Sequence, residues 1–324
     1  MSEEAELERM IGTLAPIGEA ERRRALLIVN PHATAVTERL RGLVVNALAA
    51  RYDVDAVETQ RRGHAIELAR DGARERYELI VAFGGDGTVN EAANGLAGTG
   101  VPLSCLPGGS ANVFCKLLRI PGEIVDATQH LLALADRFEP HRVDLGVVED
   151  RCFTFTAGVG LDARVVRAVD ARPRLKARLG PYLFSAVAGV KFARHYLVRP
   201  PRMFVNAGGE TFAGVTTVVQ VAEHYTYFHD RPIDLATGAR LGGGALAGVV
   251  LRRASALGAP ALIVRALRGG VEGHRQVIAF AGVSGVTVSS ATGRALPLQV
   301  DGDYLGEVSE ARFGIRRGAL SVVN

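Results

Sequence analysis

Hydrophobic residues in the first 140 positions occur in short runs that longer polar stretches separate. The runs ALLIVN at 25–30 and ELIVAF at 78–83 are apolar apart from one polar residue at an end, which is typical of strands buried on both faces. Further strands are predicted at 52–59 and 101–106, with polar stretches of helical length between them. Strands that alternate with helices predict a parallel sheet with helices on both faces. Ligands of such a sheet bind beyond the carboxyl ends of its strands.

The pattern changes near residue 140. Short β-type runs with glycine turns recur from there to the C-terminus and predict an antiparallel, sandwich-like sheet. We therefore predict an α/β domain over residues 1–140, in which residues 1–22 form a short polar helix or a loose tail, and a β-rich domain over residues 141–324. The sequence leaves open whether the last strand or two return to the first domain.

Composition and charge narrow the function classes. The net charge of +4 fits a protein that meets an anionic membrane or a nucleic acid, but no nucleic-acid motif is present. The three cysteines, Cys105, Cys115 and Cys152, have no zinc-site spacing, and so sparse a set is typical of a reducing cytosol. The acidic N-terminus is no signal peptide, and no run approaches the ~20 apolar residues that span a bilayer. We expect a cytoplasmic protein.

The most informative motif is GGDGT at 84–88, between a predicted strand and a predicted helix. Its glycines lack a Cβ, so backbone N–H groups can close on a phosphate, and the helix start favours anions. Asp86 places a carboxylate among these donors. A carboxylate repels a phosphate unless it binds a metal or accepts a proton. Asp86 is therefore a candidate Mg²⁺ ligand or a candidate base for an attacking hydroxyl.

A second acidic motif, QVDGDYLG at 299–306, contains Asp301 and Asp303. On one strand, the two carboxylates would point to the same side and would need a cation or a shared proton. Asp-Gly is also a strong signal for a hairpin turn, so a surface hairpin is the structural alternative.

Six sequence blocks, in order from residue 26 to residue 306, resemble the diacylglycerol kinase catalytic family, which also contains the sphingosine kinases. GGDGTVNEAANGL at 84–96 is similar to the nucleotide loop of that family nearly letter for letter. The other five blocks are LLIVNPHAT (26–34), ETQRRGHAIELA (58–69), LPGGSANVFCKLLRIP (106–121), VDLGVVEDRCFTFTAGVGLDARVV (143–166) and QVDGDYLG (299–306).

The resemblance implies a nucleotide-binding first domain, a lipid-binding second domain and transfer of the ATP γ-phosphate to a lipid hydroxyl. It implies a Mg²⁺ ion with Asp86 and Asp303 as ligands. The residues that it implies for ATP binding are Asn30, Thr59, Gly84, Gly85, Asp86, Gly87, Thr88, Gly108, Gly109, Ser110 and Asn112.

The resemblance also implies that Asp301 and Asp303 face the γ-phosphate from the second domain, as catalytic residues together with Asp86. A lipid hydroxyl is a weak nucleophile, so a carboxylate base is expected to contribute roughly 10²–10⁴-fold to the rate. Asp86 and Asp301 are both candidates for that base, and Asp301 is slightly favoured. Asp162 is implied to meet the polar head of the lipid, or else it is a favourable carboxylate at a helix start.

Within residues 164–190, the part at 164–178 has six basic side chains and one acidic side chain. The apolar stretch PYLFSAVAGV follows it at 181–190. This order is typical of an anchor on an anionic membrane, where each basic residue contributes about 1 kcal/mol. A solvated basic helix before a core helix has the same pattern. We expect a peripheral membrane protein whose partner is a lipid substrate and not a nucleic acid, with a homodimer as one candidate assembly.

Two positions depart from the family pattern. Val113 stands where many bacterial relatives have an aspartate of a metal–water network, and RLGGGAL at 240–246 lacks the usual acidic residues. Both departures concern the metal arrangement and the lipid, and not the reaction class. Phosphorylation of diacylglycerol to phosphatidic acid is the first hypothesis. The alternatives are a kinase for a sphingoid base or another lipid alcohol, a metabolite kinase of the NAD kinase type, and a non-catalytic lipid or nucleotide sensor.

Overall fold

The computed structural model describes residues 2–13, 22–160, 163, 202–228, 231–253 and 259–324. Asp162 and the basic and apolar stretch at 164–190 lie outside the described residues. The chain divides into two compact units. The first unit contains residues 1–143 and 318–324, and the second contains residues 144–317.

The first unit is built on a parallel sheet. Its strands lie in the order β2-β1-β3-β4, and the end of the last strand of the chain, β18, pairs with β4 in parallel at Val322 and Leu103. Every residue of β3 and β4 is buried, as their continuous apolar runs predict. The strand bounds are β1 Arg23–Val29, β2 Tyr52–Glu58, β3 Leu79–Gly84, β4 Leu103–Pro107 and β18 Glu310–Val322.

Six described helices accompany this sheet, and their packing follows from small residues and caps. The Thr37 hydroxyl accepts a hydrogen bond from Leu40 N (3.1 Å) and so caps the second helix. A Cβ at Gly95 would lie 2.4 Å from the Ile66 carbonyl oxygen, so glycine allows the third and fourth helices to approach closely. The bounds are α1 Glu3–Ile11, α2 Glu38–Leu48, α3 His64–Arg74, α4 Asp86–Leu96, α5 Val113–Leu117 and α6 Ile124–Leu134.

The second unit is antiparallel. One sheet has the strand order β14-β13-β10-β7-β16-β17, and β9, β8, β15 and β18 pair in a second sheet. The bounds are β5 His141–Val148, β6 Arg151–Phe153, β7 Thr156–Val159, β8 Met203–Ala207, β9 Glu210–Gly214, β10 Thr216–Gln220, β11 Thr226–Phe228, β12 Arg231–Ile233, β13 Leu246–Leu251, α7 Ala259–Arg268, β14 Val277–Val283, β15 Gly285–Ser290, β16 Leu296–Val300 and β17 Asp303–Val308.

Side chains from both sheets of the second unit form one apolar core, which includes Phe153, Val219, Val250, Val288 and Phe313. The predicted fold class, a parallel α/β part followed by an antiparallel β-rich part, is therefore confirmed. None of the helices that the structure describes is long and apolar enough to cross a membrane.

Candidate active site

Two glycine turns contact each other at the carboxyl ends of β3 and β4. The amide N–H of Gly108 donates a hydrogen bond to the Gly84 carbonyl oxygen (2.9 Å). A Cβ at Gly109 would lie 2.7 Å from the Gly85 Cα, and a Cβ at Gly108 would lie 2.9 Å from the Gly84 Cα. Because the two backbones touch where side chains would start, only glycine fits at these positions. We call this pair of turns the paired glycine turns.

Helix α4 begins directly at these turns. Asp86 is its first residue, and no side chain caps its N-terminus at Gly85. The helix start therefore presents positive partial charge beside the glycine backbones. The Asp86 Oδ1 atom accepts a hydrogen bond from the amide N–H of Phe114 (3.2 Å), which fixes the start of α4 against α5.

Asn112 shapes the second turn. Its Oδ1 atom accepts a hydrogen bond from Gly109 N (2.9 Å), and its Nδ2 atom donates one to Gly109 O (2.8 Å). Its backbone is left-handed, with φ of 47°, and α5 starts at the next residue, Val113, whose side chain is buried. Ser110, at the tip of the same turn, is exposed.

The neighbouring strand ends bring Asn30 and Thr59 to the same edge of the sheet. Asn30 follows β1 and donates through Nδ2 to the Thr88 hydroxyl (3.1 Å), while its Oδ1 atom accepts from His32 N (3.0 Å). Thr59 follows β2 and donates its amide N–H to the Val29 carbonyl oxygen (2.8 Å). The first unit thus collects the residues predicted within it for nucleotide binding at one edge.

Glu91 is a residue whose function the sequence reasoning missed. It is only 8% exposed, and its two carboxylate oxygens accept hydrogen bonds from Gly63 N (2.7 Å) and Ala65 N (3.2 Å). Gly63 has no side chain to cap α3, so Glu91 on α4 provides that cap. The one signal in the sequence is the glycine at the position where α3 needs a capping side chain.

The cysteines and acidic residues form no protein metal cage in the part of the chain that the structure describes. No group of three or more His, Cys, Asp or Glu side chains there could hold a metal ion. The Sγ atoms of Cys105 and Cys115 lie 2.9 Å apart, and that hydrogen bond together with burial raises the pKa of the Cys115 thiol. The Cys115 thiol therefore stays protonated and poorly reactive.

The second acidic motif forms a tight hairpin. Strand β16 ends at Val300 and β17 begins at Asp303, and the two turn residues have positive φ, 46° at Asp301 and 80° at Gly302. The expectation that Asp301 and Asp303 share one face of a strand is therefore wrong. Asp-Gly adopts the left-handed conformations that two-residue hairpin turns require.

Asp301 is buried inside this turn, 4% exposed, and not on the surface as the hairpin alternative implied. Its Oδ2 atom accepts from the amide and hydroxyl of Thr154 (2.6 and 2.8 Å), and Oδ1 accepts from Phe155 N (3.1 Å) and Thr156 N (3.0 Å). Burial raises the pKa of Asp301, and these four hydrogen bonds oppose the rise. Asp303 is only half-buried.

The loop at 240–246, which lacks acidic residues of its own, is held by carboxylates from elsewhere in the second unit. Asp144 accepts a hydrogen bond from Gly244 N (2.6 Å), and Glu223 accepts one from Leu241 N (3.3 Å). Arg317 donates to the Gly244 carbonyl oxygen (3.0 Å). Carboxylates on the backbone N–H groups thus fix this loop in the described structure.

Comparison with known proteins adds three findings. Residues 24–148 match the family model of the diacylglycerol kinase catalytic domain. A diacylglycerol kinase of Staphylococcus aureus (strain bovine RF122 / ET3-1) is 27% identical over 309 residues, 91% of each chain. One of Staphylococcus carnosus (strain TM300) is 26% identical over 297 residues, 89% of this chain and 90% of the other.

A solved structure from Bacillus anthracis str. Sterne has the same fold. Its TM-score is 0.74 at 22% sequence identity, and the match covers 94% of this chain and 96% of that chain.

Proposed function

We propose that this chain, which belongs to the diacylglycerol kinase catalytic family and is an ATP-dependent kinase, phosphorylates a lipid hydroxyl, with diacylglycerol as substrate and phosphatidic acid as product. The family match and the two staphylococcal relatives support the reaction class. An identity of 26–27% does not establish which lipid is the substrate, so diacylglycerol is part of the proposal.

The observation that carries the proposal is the contact between the paired glycine turns. It places two side-chain-free backbone segments beside a helix start that no side chain caps. Phosphate oxygens bind well to backbone N–H groups in such a place, because partial positive charge collects there. We assign the β- and γ-phosphates of ATP to Gly84–Thr88 and Gly108–Asn112.

Asn30 and Asn112 contribute to ATP binding by shaping its site. Both side-chain amides are bonded within the protein, Asn30 to Thr88 and His32, and Asn112 to Gly109. Two other residues predicted for ATP binding carry hydroxyls: Thr59 at the end of β2 and the exposed Ser110 at the tip of the second glycine turn. We propose that these two hydroxyls contact the nucleotide.

We propose that Mg²⁺ arrives with ATP and is held largely by its phosphates. Mg²⁺ usually keeps several waters and binds one or two carboxylates besides substrate phosphates, so it needs no cage of protein ligands. Asp86 in the first unit is the carboxylate that we assign to it. Held at Asp86, a Mg²⁺ ion would supply positive charge that offsets the negative charge of the phosphates.

We assign the role of general base to Asp303 in preference to Asp301. A base must accept a proton from the substrate hydroxyl, directly or through a water. Both oxygens of Asp301 already accept two hydrogen bonds each inside the turn, so that carboxylate positions the hairpin. Asp303 is the next carboxylate in the motif and is partly accessible to solvent.

A lipid panel tests the substrate. ATP labelled at the γ-phosphate is offered with diacylglycerol, monoacylglycerol and a sphingoid base in mixed micelles, and separately with NAD. We expect label in phosphatidic acid. Label in NAD and in no lipid contradicts the proposal and supports a metabolite kinase, while binding of ATP without any transfer supports a sensor.

A further inference from the structure

The second unit carries a concentrated positive charge between residues 252 and 275. This stretch contains five arginines and a single acidic residue, Glu272, with neither lysine nor aspartate. Its net charge equals that of the whole chain, +4. Summed over the rest of the chain, positive and negative residues cancel, and this stretch is one where a polyanion would be attracted.

The fold brings the arginines of this stretch close together. Strands β13 and β14 pair at Leu251 and Val277, and Arg252 N donates to the Gln276 carbonyl oxygen (2.8 Å) just beyond that pair. At the end of α7, Arg265 donates through Nη2 to the Glu272 carbonyl oxygen (3.0 Å). The C-terminal turn of α7 is therefore joined, by the few residues that follow it, to the end of the β13–β14 pair at Leu251 and Val277.

One face of helix α7 packs on the second unit. Its Leu262 and Ala266 pack against an apolar cluster that includes Val249 and Val271. Val264, 45% exposed, lies on the opposite face together with the exposed Arg265 and Arg268. The helix thus presents an apolar side chain flanked by guanidinium groups to the outside.

Carboxylates near this segment are already engaged. Glu272 accepts hydrogen bonds from the amide (2.5 Å) and hydroxyl of Thr237, and Asp234 lies 2.6 Å from His224 Nδ1. Among the described residues, no ion pair joins Arg252, Arg253, Arg268 or Arg275 to an acidic side chain, and all four are exposed.

We propose that this segment docks the second unit on an anionic lipid bilayer. We call it the α7 surface, and its residues are Arg252, Arg253, Val264, Arg265, Arg268 and Arg275. An exposed apolar side chain among arginines on an amphipathic helix fits the headgroup region, where each basic residue adds binding energy. The choice of a bilayer over another polyanion rests on the lipid substrate proposed above.

Sedimentation with phosphatidylcholine vesicles, with or without phosphatidylglycerol, tests the α7 surface. No diacylglycerol or ATP is present, so the result does not depend on whether the chain is a lipid kinase. We expect the wild-type chain to bind only the anionic vesicles, and more weakly as salt rises. The double variant Arg268→Gln/Arg275→Gln should bind about thirtyfold more weakly, because two interfacial charges are lost.

The matched control is Arg202→Gln/Arg294→Gln, which removes the same charge from two exposed arginines elsewhere in the second unit. It should keep the wild-type affinity, and thermal melting should show that both variants fold. Equal loss of binding in both variants would mean that net charge alone decides, and this overturns the proposal. Unchanged vesicle binding by Arg268→Gln/Arg275→Gln also overturns the proposal, even if that variant loses binding to RNA or to an acidic protein.

Discussion

At the scale of the residue, two aspartates that are two positions apart differ in burial. Asp301 is buried with four donors on its carboxylate, whereas Asp303 is half-buried. Asp303→Asn should lower kcat by about 10²–10⁴-fold while the melting temperature stays close to wild type, since it removes a base. Kinetics with saturating ATP and thermal melting check this, and full activity of Asp303→Asn contradicts the assignment.

Asp301→Asn should act on stability. An asparagine NH₂ group would face backbone donors, so we expect a loss of about 2 kcal/mol in the free energy of unfolding at neutral pH. Denaturant unfolding monitored by circular dichroism measures it. Stability equal to wild type would mean that the four hydrogen bonds of Asp301 contribute nothing net.

The pH dependence of the same variant has a definite sign. Burial raises the pKa of Asp301 above its ordinary value, so the folded state holds this proton more tightly than the unfolded state. The part of the stability that comes from the raised pKa of Asp301 is therefore fully present below the ordinary pKa and is lost as pH rises through the raised pKa. The stability of wild type relative to Asp301→Asn should fall over that window, and a rise contradicts it.

The sequence predicts which polar residues belong to the candidate site, but not the hydrogen bonds that their side chains make. Asn30 and Asn112 were predicted as nucleotide ligands, yet their amides are bonded to neighbouring turns. The spacing of Asp301 and Asp303 suggested a shared face, because a strand was assumed where positive φ makes a turn. The sign of φ at an Asp-Gly pair depends on which strands pair around it, and a single sequence does not contain that information.

At the scale of the element, the start of α3 depends on a side chain from another helix. Removing it in Glu91→Ala leaves the N–H groups of Gly63 and Ala65 without their acceptor. We expect a loss of about 1–2 kcal/mol in the free energy of unfolding.

The matched control is Glu67→Ala on α3, where the carboxylate contacts Arg61 at the surface. An exposed ion pair of this kind contributes little to stability because solvent screens it, so the control should be the milder change. Urea unfolding of both variants makes the comparison. Equal effects would contradict a capping role for Glu91.

The strands of the first unit were predicted within a few residues, whereas α5 was not. The mainly apolar runs at 25–30, 78–83 and 101–106 correspond to β1, β3 and β4, because strands buried on both faces consist mostly of apolar residues. Helix α5 spans only Val113–Leu117, since the left-handed backbone of Asn112 delays its start. Glycine spacing located the turns, but not their mutual contact.

At the scale of the whole molecule, the last residues of the chain belong to the first unit. Leu320, Val322 and Val323 are buried, and Val323 N donates to the Leu103 carbonyl oxygen (3.1 Å). Burying one such side chain contributes about 1.5–3 kcal/mol, and a domain has only about 5–15 kcal/mol in total. Deleting residues 319–324 should therefore lower the melting temperature sharply, and a wild-type melting curve contradicts this.

Long-range pairing is what the sequence conveys least. It left open whether the last strands return, because a partner for β4 so distant in the chain leaves no local signal. The α7 surface was not predicted for a similar reason, because strand pairing is what places the backbone of Arg252 beside Gln276. Contact of Asp162 with the polar head of the lipid and docking of residues 164–190 on a membrane stay predictions.

The measurement that tests the central claim most directly is the kinetics of Gly109→Ala with respect to ATP, with Gly122→Ala as the matched control. A Cβ at Gly109 would lie 2.7 Å from the Gly85 Cα, whereas a Cβ at Gly122 has nothing within 4 Å. If the paired glycine turns hold the ATP phosphates, kcat/KM for ATP should fall about a hundredfold in Gly109→Ala, because its backbone must shift. The control should match wild type, and a folded Gly109→Ala that uses ATP as well as the control does would contradict the account.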